Sequence, residues 1–140
     1  MRLKESVYSH KITNELAFNW GTLFFMENCC VSEVDEGFFF DTIDINKFVL
    51  FLKVYYKGQK FHYINNRVNS FCVNPIGYES FTEIQDQILS TRVILYSDKQ
   101  RKTAAYEGKF YPLEANFFDN LEACLKDIDY PRADIKNLSI

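Results

Sequence analysis

The sequence predicts an α/β fold with a mixed sheet, in which an antiparallel hairpin or meander precedes helices and strands in the order αβαβαβα. Two observations carry this prediction. The first third of the chain is aromatic and β-prone, and beyond it short apolar runs alternate with segments of helical periodicity. Alternating strands and helices require right-handed crossovers, and therefore a mainly parallel sheet after the opening strands. The 140 residues fit one domain, with a polar tail after about Asp129.

The first strand is predicted over Leu16–Met26, which is aromatic and β-prone, and a turn at Glu27-Asn28 would return the chain as a second strand over Cys29–Val34. Three aromatic residues follow directly, Phe38, Phe39 and Phe40. Three consecutive phenylalanines cannot all face water. This segment is therefore either a buried connection or part of a surface that contacts a partner.

The first helix is expected to be capped by Asp44 and to run to about Tyr56, with Gly58 just beyond its end. One of its faces is formed by apolar residues at helical spacing, namely Phe48, Phe51, Leu52 and Tyr55. Further apolar residues widen this face. The helix is therefore either buried between the sheet and its neighbours, or it presents a dimer or partner surface.

The remaining elements are assigned from apolar runs and capping signals. In chain order they are a strand over Phe61–Ile64, a helix that starts at Asn74-Pro75, a buried strand over Arg92–Ser97, a helix capped by Asp98, a short strand over Ala115–Phe118 and a helix capped by Asp119 with Glu122.

Composition argues against several classes of protein. The net charge of −3 is spread along the chain and does not favour nucleic-acid binding, which needs many uncompensated cations. The longest apolar run, Phe48–Leu52, is far shorter than the roughly 20 residues that a membrane helix requires. The four cysteines lack zinc-site spacing and are expected to be buried free thiols. With no secretory signal at the N-terminus, a cytoplasmic location is expected.

No enzyme motif is present. The phosphate-binding loop, the dinucleotide fingerprint and the nucleophile elbow are all missing. Neither His10 nor His62 has a carboxylate at helical spacing, and a structural role is expected for His62. We therefore assign no catalytic residue, no metal and no cofactor.

One region suits a small anion. In a parallel sheet, ligands favour the crevice at the carboxyl ends of the strands. Arg67 and Ser70 follow one predicted strand, and Lys99 and Arg101 follow the next, near a helix N-terminus. The alternative is that these cations belong to a solvated helix face.

The segment Lys60–Pro75 resembles the SpoIIAA-like family, which is related to STAS domains. It combines an apolar strand, an Asn-Arg-x-Asn-Ser-aromatic loop and a Pro helix start. Arg92–Ser97 and Phe117–Ala123 extend the likeness, which spans roughly residues 15–128. The resemblance implies a mixed sheet with helices mainly on one face and a non-enzymatic protein-interaction role, as in anti-sigma factor antagonists. In those antagonists a loop serine before the second helix is phosphorylated, and the loop here offers Ser70.

These observations favour a non-catalytic, regulatory STAS-like domain that binds another protein or forms a homodimer. The residues expected at that surface are Phe38, Phe39, Phe48, Phe51 and Tyr55. The alternative function is the binding of a small, anionic ligand by Arg67, Ser70, Lys99 and Arg101. An enzyme of unknown type is the third hypothesis.

Overall fold

The computed structural model describes residues 1–129 and contains eight strands within them. They are β1 (Asn14–Phe18), β2 (Gly21–Phe25), β3 (Cys29–Val34), β4 (Phe39–Phe40), β5 (Phe61–Asn66), β6 (Cys72–Val73), β7 (Ile88–Ile94) and β8 (Ala115–Phe118). Six of them form one sheet in the order β1-β2-β3-β5-β7-β8, and β4 pairs with β6 in a separate two-stranded sheet. The strands β1 to β3 are antiparallel, and β3, β5, β7 and β8 are parallel. The predicted mixed sheet with an antiparallel opening is confirmed.

The helices cover the two faces of the large sheet unequally. They are α1 (Thr42–Tyr56), α2 (Asp98–Glu107), α3 (Leu121–Asp129), a 3₁₀ helix over Pro75–Ile84 and two short 3₁₀ turns over Leu3–Glu5 and Ser9–Lys11. Three of these, α1, the Pro75–Ile84 helix and α2, pack on one face. The other face is covered by α3 and the N-terminal turns. Helices mainly on one face were the expectation, and the structure confirms it.

The opening strands form a three-stranded meander. The single strand predicted over Leu16–Met26 is divided by a turn at Asn19 and Trp20. Gly21 makes the division possible, because its φ is +147° and a Cβ there would lie 2.2 Å from the Glu33 carbonyl oxygen. The turn buries Trp20, which packs on the rings of Phe18 and Phe40.

The N-cap of α1 is Asp41, so the prediction of Asp44 was wrong. The Asp41 side chain accepts a hydrogen bond from the backbone N–H of Thr42 at 2.8 Å, and the Asp44 carboxylate accepts one from the Asp41 N–H at 3.0 Å. Two acids three positions apart exchange these hydrogen bonds as a capping box. The helix ends at Lys57, which adopts a left-handed conformation with φ 48°.

The predicted caps of α2 and α3 differ from the observed caps by one residue each. Ser97, rather than Asp98, caps α2 and accepts from the Gln100 N–H at 3.2 Å. Asn120, rather than Asp119, accepts from the Ala123 N–H at 2.9 Å at the start of α3. Adjacent polar residues are all acceptable caps, and only the backbone geometry selects between them.

Two further elements differ from the prediction. The segment after Asn74 is a 3₁₀ helix that ends at Ile84, with Asn74 as its cap. The strand predicted over Arg92–Ser97 occupies Ile88–Ile94, because its backbone pairing with β5 runs from Ile88 to Ile94. The polar tail predicted after Asp129 lies outside the described residues.

We expect Gly21→Ala to destabilise the protein far more than Gly37→Ala. Both glycines have positive φ, 147° and 77°, but only at Gly21 would a Cβ collide with backbone. The collision and the strain together should cost about 2–4 kcal/mol at Gly21, against about 1 kcal/mol of strain alone at Gly37. Urea unfolding of both variants measures the difference. Equal losses of stability in the two variants would show that the close approach of β2 to β3 does not require a glycine at position 21.

Candidate functional site

A cleft of about 490 Å³ opens between the loop that follows β5 and the first turns of α2. We call it the outer cleft. Because β5 and β7 are parallel neighbours, their carboxyl ends meet at one edge of the sheet, and the segments that follow face each other. The cleft is lined by Arg67 and Ser70 from the loop and by Lys99 from α2. Three of the four residues predicted for an anion site are therefore brought together.

The fourth residue, Arg101, does not line the outer cleft. Its guanidinium is half-exposed and donates to the carboxylate of Asp98 at 3.0 Å, three positions earlier on the same helix. An exposed pair of this kind contributes little to stability. Arg101 therefore belongs to the solvated face of α2, which was the alternative for this cation cluster.

Arg67 is the buried centre of the region, with 3% of its surface exposed. Its Nη1 donates to Glu107 Oε1 at 2.8 Å, and its guanidinium carbon lies 4.3 Å from the centre of the Phe71 ring. The Tyr78 hydroxyl donates to the same carboxylate oxygen at 3.1 Å. Gln100 Nε2 donates to the Arg67 carbonyl at 2.9 Å, so the first turns of α2 are tied to the loop. The Arg67 charge is thus neutralised inside the protein.

The outer cleft carries balanced charge. Ser70 is exposed, and its backbone N–H donates to the Glu36 carboxylate. Glu36 and Glu107 line the cleft together with Arg67 and Lys99, which gives two anions and two cations. Lys99 is the exposed cation of the four, and it lies within the first turn of α2, where the helix dipole also favours negative charge.

A second, smaller cavity of about 70 Å³ lies between the sheet and the helices of the main face. We call it the inner cavity. It shares Arg67, Phe71, Val73 and Glu107 with the outer cleft, so the buried ion pair stands in the wall between the two. The other side chains around it are mostly apolar and include Trp20, Phe40, Ile45, Phe48, Phe81, Val93 and Ala104.

The sheet side of the inner cavity is lined by hydroxyl groups. Ser32 Oγ and the Tyr63 hydroxyl oxygen are 3.1 Å apart, and Thr91 Oγ1 and the Tyr111 hydroxyl oxygen are 2.6 Å apart. Burial raises the pKa of Tyr63 and raises that of Tyr111 to about 12. Burial, and then the nearby Glu107 carboxylate, also raise the pKa of Tyr78. These phenols are therefore uncharged at neutral pH.

Two donors at this cavity are unused. Arg67 Nε is buried and has no hydrogen-bond partner within residues 1–129. Asn65 Oδ1 accepts from Ser32 Oγ at 3.4 Å, whereas the Asn65 amide nitrogen donates to nothing in the described part of the chain. Buried polar groups are normally paired, so the fully buried Arg67 Nε in particular requires an explanation.

Phe48 was predicted at an interaction surface, and that prediction was wrong. It is 5% exposed and packs between the rings of Trp20, Tyr63 and Phe81. A helix with apolar residues all round presents two candidate faces to the sheet, and the aromatic face fills the wider space.

The other four residues of the predicted interaction surface differ in their exposure. Phe38 is half-buried against the Phe40 ring, and Phe51 is half-buried against Phe18. Phe39 is 53% exposed and Tyr55 is 40% exposed.

The outward face of α1 carries three aliphatic side chains, of which the sequence analysis counted Leu50 and Val54 only as widening the apolar face and did not single out Ile43. Ile43, Leu50 and Val54 are 61%, 58% and 61% exposed. We call them the α1 stripe. Their spacing of seven and then four residues is a helical repeat, and this spacing was the signal that could have identified them.

His62 and Ser90 form a polar pair on the sheet face opposite both cavities. His62 Nδ1 and Ser90 Oγ are 2.6 Å apart, and Arg92 Nε donates to the same hydroxyl oxygen at 3.0 Å. Burial lowers the pKa of His62, and the nearby Arg92 lowers it further. Neither His62 nor Ser90 lines the outer cleft or the inner cavity.

No disulfide joins any of the four cysteines within residues 1–129. Cys29, Cys30 and Cys124 are buried, as expected, whereas Cys72 on β6 is exposed, contrary to the prediction. Within residues 1–129, no three His, Cys, Asp or Glu side chains are grouped to hold a metal ion. In the same range, none of the helices combines the length and apolar character needed to cross a membrane.

Comparison with known proteins gives one likeness of fold. No family model matches the sequence, and no curated protein does. Among solved structures, the chain is similar to an uncharacterised protein of the DUF3478 family with a SpoIIAA-like fold, from Shewanella loihica PV-4. The alignment covers 81% of this chain and 89% of that one, with 9% sequence identity and a TM-score of 0.49.

We expect Arg67→Met to destabilise the protein by about 3–5 kcal/mol, because it leaves the Glu107 carboxylate buried without its counter-charge. The double variant Arg67→Met/Glu107→Gln should recover much of the loss, since no buried charge is then unpaired. Arg101→Met, which breaks the half-exposed pair with Asp98, should cost less than about 0.5 kcal/mol. Chemical denaturation of the three variants tests the pair. A double variant no more stable than Arg67→Met would contradict this account.

Proposed function

We propose that this chain is a single, non-catalytic regulatory domain that acts by protein interaction, and that it associates with a second copy of itself through the α1 stripe. One observation carries the proposal: Ile43, Leu50 and Val54 are all about 60% exposed along one line of the helix. Isolated surface aliphatics are normal, but an aligned set on one helix resembles the seam of a helix–helix contact. A non-enzymatic interaction role is also what the STAS-like resemblance implies.

Burial of the stripe supplies the free energy for association. Each aliphatic side chain that is fully removed from water contributes about 1.5–3 kcal/mol. In a two-fold dimer the same three side chains are buried on both copies, so six contribute. Lys47 lies between Ile43 and Leu50 on this face, and its alkyl chain extends the apolar surface.

The charges beside the stripe favour a second copy as the partner. Lys47 and Lys53 are exposed on α1, and Glu79 and Glu83 are exposed on the adjacent Pro75–Ile84 helix. The two helices are held together by the Ser80 hydroxyl, which donates to the side chain of Asn46. In a dimer with a two-fold axis, each surface contacts the same surface of the other copy in the opposite orientation. The lysines of one copy can therefore face the glutamates of the other.

We expect Leu50→Glu to weaken self-association at least roughly tenfold, because a desolvated carboxylate replaces about 2 kcal/mol of apolar burial on each copy. Sedimentation velocity over a concentration series measures the dissociation constant. Val7→Glu is the matched control, since Val7 is 69% exposed on the N-terminal segment, which packs on the opposite face of the sheet. A wild-type protein that stays monomeric at millimolar concentration, or a Leu50→Glu protein that dimerises as tightly as wild type, would sink the proposal.

A second candidate function is the binding of a small anionic ligand in the outer cleft. The observation that favours it is the meeting of Arg67, Ser70 and Lys99 around a space of about 490 Å³. Lys99 supplies the accessible charge, and Ser70 supplies a hydroxyl. The balancing carboxylates of Glu36 and Glu107 make the expected affinity modest.

For this second function, Lys99→Ala should reduce the affinity for inorganic phosphate several-fold, whereas Arg101→Ala should leave it unchanged. Both variants remove one cation from α2, but only Lys99 lines the cleft. Chemical-shift titration with phosphate at constant ionic strength gives the affinities. An identical reduction in both variants would mean that phosphate senses only the general charge of the helix.

A further inference from the structure

We propose that the inner cavity is a binding site for a small uncharged group that accepts a hydrogen bond, such as the carbonyl of a ketone or amide at the end of a larger ligand. The site lies behind the Arg67–Glu107 pair. It does not use the α1 stripe, and it shares Arg67 but not the exposed Lys99 with the outer cleft.

The volume of the inner cavity limits the size of the chemical group that can bind in it. At about 70 Å³ the inner cavity is less than half the size of the engineered 150 Å³ cavities that bind benzene, and several times the space that one water molecule needs. Two to four non-hydrogen atoms therefore fit. The shared wall residues place the outer cleft next to this space, where the rest of a longer ligand would lie.

The unused donors specify a hydrogen-bond acceptor. Arg67 Nε is buried and unpaired, and Asn65 contributes an amide nitrogen that donates to no described residue. Both side chains line the inner cavity. An oxygen with lone pairs that entered the cavity would satisfy a donor that otherwise carries the full cost of desolvation. An apolar group would leave that cost in place.

The charges around the cavity specify an uncharged ligand. The positive charge of Arg67 is already matched by Glu107 at 2.8 Å, and the surrounding phenols of Tyr63, Tyr78 and Tyr111 are neutral. A carboxylate or phosphate would enter a nearly dry space beside the Glu107 carboxylate, with no free counter-charge to offset its desolvation. A carbonyl group can accept hydrogen bonds from the donors without the cost of desolvating a charge.

The apolar side chains that line the inner cavity favour an apolar substituent beside the carbonyl of the ligand. Phe81, Val93 and Ala104 also line the cavity and offer no polar side-chain atom. A methyl or methylene beside the carbonyl would pack on these side chains. A methyl ketone is therefore the simplest probe that matches the cavity in size, polarity and charge.

The experiment compares acetone with acetate, which have the same number of non-hydrogen atoms and nearly the same shape. The full chain is titrated with each while its arginine Nε–H and asparagine side-chain NH₂ signals are followed by ¹H–¹⁵N NMR at constant ionic strength. Acetone should shift the Arg67 Nε–H and Asn65 signals saturably, with a dissociation constant in the millimolar range. Acetate should leave both signals unchanged.

Two alanines on α2 provide matched variants. Ala104 is buried and lines the inner cavity, whereas Ala105 is exposed on the same helix. Ala104→Leu should fill the space and weaken acetone binding at least roughly tenfold, and Ala105→Leu should not change it. If Ala104→Leu fails to fold, Ala115→Val fills the cavity from the sheet side with a smaller added volume.

Three outcomes would overturn the inference. An absence of saturable shifts at Arg67 and Asn65 would mean that only water occupies the cavity. Equal responses to acetone and acetate would remove the requirement for an uncharged group. Shifts confined to Ser70 and Lys99 would place the probe in the outer cleft and would support the second candidate function instead. None of these results bears on the α1 stripe, which sedimentation tests separately.

Discussion

The order of the parallel strands is the constraint on which the rest of the molecule depends. The strands β3, β5, β7 and β8 lie side by side in chain order, so each crossover moves one place in the same direction. Since such crossovers are right-handed, their three helices must lie on one face of the sheet. That face gathers most of the aromatic core, while Leu3 and the apolar side of α3 close the other. The same order brings the ends of β5 and β7 together and places α2 above them.

A buried ion pair follows from this placement. The loop after β5 enters the space beneath α2, and the chain places Arg67 on the loop and Glu107 at the end of the helix. The pair ties two distant segments together, but it leaves Arg67 Nε without a hydrogen-bond partner among residues 1–129. A purely apolar contact would fill this region more completely, because buried ion pairs rarely add net stability over well-packed hydrophobic residues. The inner cavity lies directly beside this pair.

The sequence predicts the elements better than their contacts. The turn signal at Glu27-Asn28 correctly indicates β3, short apolar segments indicate β5 and β8, and helical periodicity indicates α1 and α3, because these signals are local. The β4–β6 pair escapes prediction, since two-residue strands carry no periodicity and depend on partners that are distant in the chain. For the candidate site, Arg67, Ser70 and Lys99 follow from the positions of strand ends alone. The pairing of Arg67 with Glu107 does not follow, because 40 positions separate the two residues and only the packing of α2 brings them together.

The two faces of α1 show most clearly that sequence patterns do not determine tertiary contacts. The same helix also connects the inner cavity with the α1 stripe. Both Phe48 and Leu50 satisfy a helical apolar pattern, and only the aromatic neighbours contributed by the sheet and the Pro75–Ile84 helix decide that Phe48 turns inward. Ile45 and Phe48 line the inner cavity, while Leu50 and Val54 face solvent from the same helix. A ligand in the cavity therefore contacts one side of the helix whose other side would form the dimer. Any effect of the ligand on self-association must be matched by an equal effect of self-association on ligand affinity, because linked binding equilibria are reciprocal.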